Sequence, residues 1–166
     1  MTSSGYPLLL HVEGRRVLVV GAGPVATRRA GALVDQRADV VVVAPAGTPE
    51  MAALPVTWHH RPYADGDLDG AWLVHAATDD TTVNDAVSAD AEHRGVWCVR
   101  ADDAERSAAW VPAVLRAEGL TVAVNAGRDP RRARAVRDVL ADRLPDLLSG
   151  VSVQPRDVRG PRGPAR

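Results

Sequence analysis

Arg16-Val17-Leu18-Val19-Val20-Gly21-Ala22-Gly23-Pro24-Val25-Ala26 reads as an apolar strand, a glycine turn and the first turn of a helix. The run before Gly21 has the length and β-branched character of a strand buried on both faces. The spacing after it is G-x-G-x-x-A. Gly21 permits the tight turn, Gly23 leaves the backbone open to a pyrophosphate, and Ala26 lets the helix pack close to the strand. Pro24 is tolerated in a first helical turn. The free amides there suit an anion. Gly21, Ala22, Gly23, Pro24 and Val25 are therefore candidate dinucleotide contacts. The alternative is a glycine turn that serves only close packing.

The same alternation of elements continues on either side. Residues 24–36 predict a helix with the stripe Val25, Ala26, Ala30, Leu33 and Val34. Strands are expected near 39–44, 56–60, 72–77 and 96–99, with a helix after Thr78-Asp79-Asp80 whose inner face is Ala86, Val87 and Ala91. Strands alternating with helices imply α/β architecture, a Rossmann-like doubly wound parallel sheet. Ligands of such sheets sit beyond the carboxyl ends of the strands. From residue 120 the character changes: a strand at 120–125, a turn, and a helix at 130–148 that Pro145 should kink or shorten. One strand and one helix cannot form a core alone. They either extend the sheet or pair with a second copy. The expected organisation is a nucleotide-binding domain at 1–117, a short strand-helix dimerisation segment at 118–150, and a disordered tail rich in Pro, Gly and Arg at 151–166.

The loops after the strands hold the candidate chemistry. The acid that usually binds the ribose, about 20 residues past the glycines, is missing; Val43-Ala44-Pro45-Ala46 stands there, so backbone around Pro45 and Ala46 is the candidate ribose contact. No arginine stands there to meet a 2′-phosphate, which favours NAD over NADP weakly. Thr78, Asp79, Asp80 and Asn84 form a polar cluster, readable as a helix cap or as a cofactor contact. Asp102 and Asp103 follow the fifth strand, where a carboxylate either accepts a proton in the crevice or belongs to a solvated turn. The five histidines show no ligand spacing and Cys98 is alone, so no metal cage and no disulfide framework is expected.

Composition narrows the classes further. The 166 residues are 46% apolar, enough for a sizeable core without any Phe. All 20 basic residues are Arg, which rules out chemistry needing a lysine amine. A net charge of −1 argues against a general nucleic-acid binder. No apolar run is long enough for a membrane span, and the N-terminus lacks a signal-peptide pattern. A cytoplasmic protein without membrane partners is the expectation.

The residues taken together resemble a known family. Tyr6-Pro-Leu, Val17-Leu-Val-Val-Gly-Ala-Gly-Pro-Val-Ala, Arg61-Pro-Tyr, Asp67-Leu-Asp-Gly-Ala-Trp-Leu-Val, Ala76-Ala-Thr-Asp-Asp with Asn84, Cys98-Val-Arg-Ala-Asp102 and Val122-Ala-Val-Asn-Ala-Gly are similar to the precorrin-2 dehydrogenase/ferrochelatase module of siroheme synthase. The resemblance covers roughly residues 6–148. It implies NAD-dependent oxidation of precorrin-2 to sirohydrochlorin, in siroheme or cobalamin synthesis; the homodimer is expected separately, from the apolar strand and helix face of Leu120–Leu148. It implies cofactor contacts at Gly23, Pro24, Val25, Pro45 and Ala46, and it singles out Asp102 as the base. The implied substrate carries eight carboxylates, so Arg100, Arg106 and Arg128 are candidate substrate contacts. The sequence departs from the family at Asn125–Pro130, at Ala108-Ala109-Trp110, and in the helical region after residue 148. That region helps cover the tetrapyrrole, so no chelatase activity is expected. The competing readings are a nucleotide-sensing regulatory domain, which has no need of Asp102, and a metallochelatase without redox chemistry.

Overall fold

The computed structural model describes residues 5–127, 129–149 and 151. The chain divides into two compact units, Met1–Val111 and Pro112–Arg166.

The first unit is built on a five-stranded parallel sheet of order β3-β2-β1-β4-β5. Its elements are β1 (Arg16–Val20), α1 (Pro24–Val34), β2 (Asp39–Val43), α2 (Pro49–Ala52), β3 (Thr57–His59), β4 (Leu73–Ala76), α3 (Thr81–Arg94) and β5 (Trp97–Arg100). The valine runs are strands because both of their faces are covered. Val17, Val19, Val40 and Val42 pack under Ala26, Ala30 and Leu33 of α1 and Met51 of α2. On the other face Leu18, Val20, Val41, Val43 and Val74 pack with Leu68 and with Val87 and Ala91 of α3. The chain leaves β1 toward β2 and β3, then returns to place β4 on the other side of β1. The ligand crevice of a doubly wound sheet lies at that reversal. Backbone bonds hold the strand ends there in step: Gly21 N–H donates to Val43 O and Ala77 N–H to Val20 O, both at 2.9 Å.

Two expected helix faces are corrected. Val25 is exposed, because it stands at the cleft while the next residue, Ala26, faces the sheet. On α3 the buried positions are Asn84, Val87 and Ala91, and Ala86 faces solvent. Asp80 caps α3 by accepting from the amides of Thr82 (2.8 Å) and Val83 (3.4 Å), so its helix-cap role holds.

The second unit is an antiparallel hairpin, β6 (Ala113–Ala117) and β7 (Leu120–Val124), with α4 (Pro130–Leu148) packed against both strands. Sequence reasoning missed β6 and with it the start of this unit at Pro112. The missed signal is the two-residue loop Glu118-Gly119, whose φ values of 51° and 73° match the twist of a tight hairpin. α4 is not shortened at Pro145. Asp129 caps it through the amides of Arg131 and Arg132. Most of the tail expected at 151–166 lies outside the described residues.

Candidate active site

The carboxyl ends of β1, β2, β4 and β5 surround one cleft of about 780 Å³. Its floor is the glycine turn. Gly21 has φ +107°, and a Cβ there would stand 2.5 Å from the carbonyl oxygen of Ala77. Gly21 is therefore fixed by the fold. Gly23 differs. Its φ of −75° is open to any residue, and a Cβ would meet nothing within 4 Å. The space a side chain would fill is cleft, which is the cradle a pyrophosphate needs. α1 begins at Gly23 with no side-chain cap and no acid in its first turn. Its leading amides and positive dipole end are thus left for an anion. α3 and α4 spend theirs on Asp80 and Asp129.

The second wall is Ala44-Pro45-Ala46-Gly47-Thr48. It is clipped to the glycine turn. Thr48 N–H donates to Ala22 O at 3.0 Å, and the hydroxyls of Thr48 and Thr27 lie 3.0 Å apart. Thr27 also donates to Gly23 O at 3.0 Å. Trp58 Nε1 donates to Ala44 O at 2.9 Å. A side chain at Gly47 would collide with the Ala22 methyl and the Trp58 ring. Thr27, Gly47, Thr48 and Trp58 were not singled out from sequence. The contacts of Thr48 with Ala22 and Thr27 and of Trp58 with Ala44 span 26, 21 and 14 positions, beyond any local motif, whereas Thr48 also caps α2 ahead of Pro49, a local signal that marks it.

The third wall is Ala77-Thr78-Asp79-Asp80. Thr78 and Asp79 line the cleft as expected. Asn84 does not. It is fully buried, with Oδ1 accepting from Thr78 N–H (3.1 Å) and near Thr78 Oγ1 (2.9 Å), and Nδ2 donating to Thr78 O (3.1 Å). The expected contact with cofactor is corrected to a support for the Thr78 loop, because all three of these bonds point inward.

Asp102 lines the fourth side. It is paired with Arg100 through both oxygens, Nε–Oδ1 3.1 Å and Nη2–Oδ2 2.7 Å. The Arg100 guanidinium holds the Asp102 carboxyl down to about 2, burial opposing and the Asn84 amide reinforcing it. Arg100 is itself buried, its side chain 1% exposed, and also pairs with Asp85 of α3. Its guanidinium is raised above its ordinary value, chiefly by Asp102. Arg100 thus has no free face for a substrate carboxylate, which corrects its expected role. Arg106 pairs with Asp85 at 2.7 Å and keeps an exposed guanidinium. Arg128 lies outside the described residues. Asp103 accepts from the amides of Glu105 (2.8 Å) and Arg106 (3.2 Å), a turn role. Among the described residues no three His, Cys, Asp or Glu side chains converge as metal ligands. No helix among them is long and apolar enough to cross a membrane.

This geometry meets close likenesses elsewhere. Residues 8–113 match the family described as "Putative NAD(P)-binding". The siroheme synthase of Chromobacterium violaceum is 43% identical over 145 residues, 84% of this chain and 31% of that protein. Siroheme synthase 1 of Aeromonas salmonicida is 36% identical over 151 residues, 88% of this chain and 32% of that one. The chain therefore spans about a third of the length of these curated relatives. Among solved structures, SirC, a precorrin-2 dehydrogenase, superposes with a TM-score of 0.72 at 25% identity, covering 89% of this chain and 72% of that one. An uncapped helix start above a side-chain-free Gly23 and a family match across the whole sheet lead to one assignment: this chain belongs to the NAD(P)-binding family so described.

Proposed function

We propose that this chain is a precorrin-2 dehydrogenase that uses NAD to form sirohydrochlorin. One observation carries the reading: Gly23, the pyrophosphate cradle, and Asp102, an ionised carboxylate, line the same cleft. A regulatory nucleotide sensor has no use for the second of these. The SirC likeness and the siroheme synthase relatives support the choice of substrate.

Bound NAD supplies the hydride acceptor. The chain supplies the rest. Gly21, Ala22, Gly23, Pro24 and Val25 receive the pyrophosphate against the start of α1. Pro45 and Ala46 bound the ribose through backbone, with no acid to favour the 2′-hydroxyl and no arginine to favour a 2′-phosphate. That leaves NAD weakly preferred over NADP. Thr78 and Asp79 bound the cofactor on the β4 side, with Asn84 holding Thr78 in place. Asp102 faces the substrate and Arg106 offers a cation to its carboxylates. The reading includes a homodimer formed through the second unit and a cytoplasmic setting, where the dinucleotide is available. It assigns no chelatase activity.

The test is precorrin-2 with saturating NAD, read as NADH absorbance. The unmodified protein should reduce NAD, and Asp102→Asn should slow it by about 10²-fold or more. Unchanged turnover in Asp102→Asn removes Asp102 from the reaction. No reduction of NAD by the unmodified protein, with NAD binding intact, replaces the enzyme with a sensor.

A further inference from the structure

We infer that Arg100 is a positioning residue that, anchored on Asp85, holds Asp102 as a fixed anion at the cleft, so that Asp102 acts on the substrate by its charge and not by keeping the substrate's proton. The inference rests on the dehydrogenase reading for its chemistry. The clamp itself stands on geometry.

Arg100 ends β5 with a side chain 1% exposed, so its guanidinium cannot turn to solvent or toward a ligand. It spans two carboxylates from different elements. One is Asp102, two residues on, gripped through both oxygens at 3.1 and 2.7 Å. The other is Asp85 on α3. A paired, planar grip fixes orientation as well as distance. Asp85 is shared with Arg106 at 2.7 Å, so two cations and two anions balance in one network. Removing Asp85 or Asp102 leaves the buried Arg100 guanidinium short of a counter-charge, which is costly. The loop after Asp102 is tied to the same strand. Arg100 N–H donates to Ser107 Oγ at 2.9 Å, and Ser107 Oγ donates to Ala109 O at 2.7 Å.

The remaining charged and polar groups around Asp102 do not reverse this. Asn84 approaches from α3 and favours the anion. Asp79 and Asp80 line the cleft from the β4 loop, and Asp103 and Glu105 lie in the same loop as Asp102. What opposes the anion is burial, and Arg100 outweighs it, since Asp102 is held down to about 2. A carboxylate so weakly basic is a poor resting place for a proton at neutral pH.

The reaction needs such an anion. A C–H bond of the reduced macrocycle breaks with both electrons going to the nicotinamide. The substrate is left with one positive charge, shared with the adjoining ring nitrogens. A fixed carboxylate stabilises that charge as it develops, in a site where it needs no reorganisation. An N–H proton then leaves to water. Two electrons and one proton reach the cofactor as hydride, and one proton reaches solvent.

The test has two arms. The first is carbon-13 NMR titration of the Asp102 carboxyl in the free protein, for the unmodified chain, Arg100→Met, Arg100→Lys and Asp85→Asn. Arg100→Met should move the Asp102 midpoint up toward the ordinary aspartate value, about 4. Lys should restore part of the shift and carries the test if the Met variant fails to fold, while Asp85→Asn, which removes a neighbouring acid, should not raise the midpoint. A midpoint that stays put in every folded Arg100 variant overturns the clamp. The second arm is the pH dependence of kcat/KM for precorrin-2. The unmodified protein should show no acid limb belonging to Asp102 between about pH 5 and 8. Arg100→Met should lower kcat by up to about 10²-fold with little change in KM for NAD. An acid limb in that range that disappears in Asp102→Asn shows a base of raised pKa and overturns the role by charge. If the unmodified protein never oxidises precorrin-2, the dehydrogenase reading fails, while the titration still decides the clamp.

Discussion

Gly21 lies so close to Ala77 that any Cβ would sit 2.5 Å from the Ala77 carbonyl oxygen, where β1 and β4 diverge. Two residues further on, Gly23 meets nothing within 4 Å. The two glycines of one motif therefore stand under different constraints, the first under packing and positive φ, the second under none that the fold itself imposes.

That difference separates two variants. Gly21→Ala should lower stability by at least about 1–3 kcal/mol from the backbone conformation alone, before the clash. Gly23→Asp should change stability by no more than about 0.5 kcal/mol and weaken NAD binding at least about tenfold. Urea denaturation and calorimetry measure the pair. A folded Gly23→Asp protein with full NAD affinity would place the pyrophosphate elsewhere.

His75 supplies a pH dependence. It lies mid-strand in β4, 4% exposed, beside Val19 and Val99 in register. Burial pushes its imidazole down to about 4 from 6.5, and the nearby Arg29 charge adds to this. The folded value is depressed, so between about 4 and 6.5 the unfolded chain binds the proton and the native chain does not. Stability is fully present above that window. It should fall by about 3 kcal/mol as pH drops through the window. His75→Leu should flatten that slope in urea midpoints taken across the window. An equal slope in the variant would assign the effect to other groups.

The second unit exposes Val136, Val139 and Leu147 on α4 and Leu120 on β7. Its hairpin and helix bury few side chains of their own, Ala133 and Leu144 being the buried ones on α4. The proposed homodimer would cover this face with a second copy. Val139→Asp should shift the protein from dimer to monomer by light scattering while NAD binding in the first unit persists. A monomeric unmodified protein at micromolar concentration ends the proposal.

The part of the fold legible along the chain is local and steric. A run of β-branched residues that fits only a covered strand, a glycine turn that no other residue could make, and Thr-Asp-Asp ahead of a helix each carry their meaning within a few positions. They placed all five strands of the parallel sheet, the crevice, and Asp102 at its edge. A weaker signal is also local: the two-residue hairpin loop Glu118-Gly119 announces β6. Tertiary structure alone decided the fate of the charged and polar groups. Arg100 reads in sequence as a cation for a substrate carboxylate, yet it is buried because Asp85, on a helix from the preceding crossover, comes within reach to neutralise it. Asn84 looks like a cleft residue and is buried because the Thr78 backbone satisfies its amide. An apolar side chain seeks burial wherever it is. A polar one is buried only where folding delivers its partners, and those partners are not written beside it in the chain.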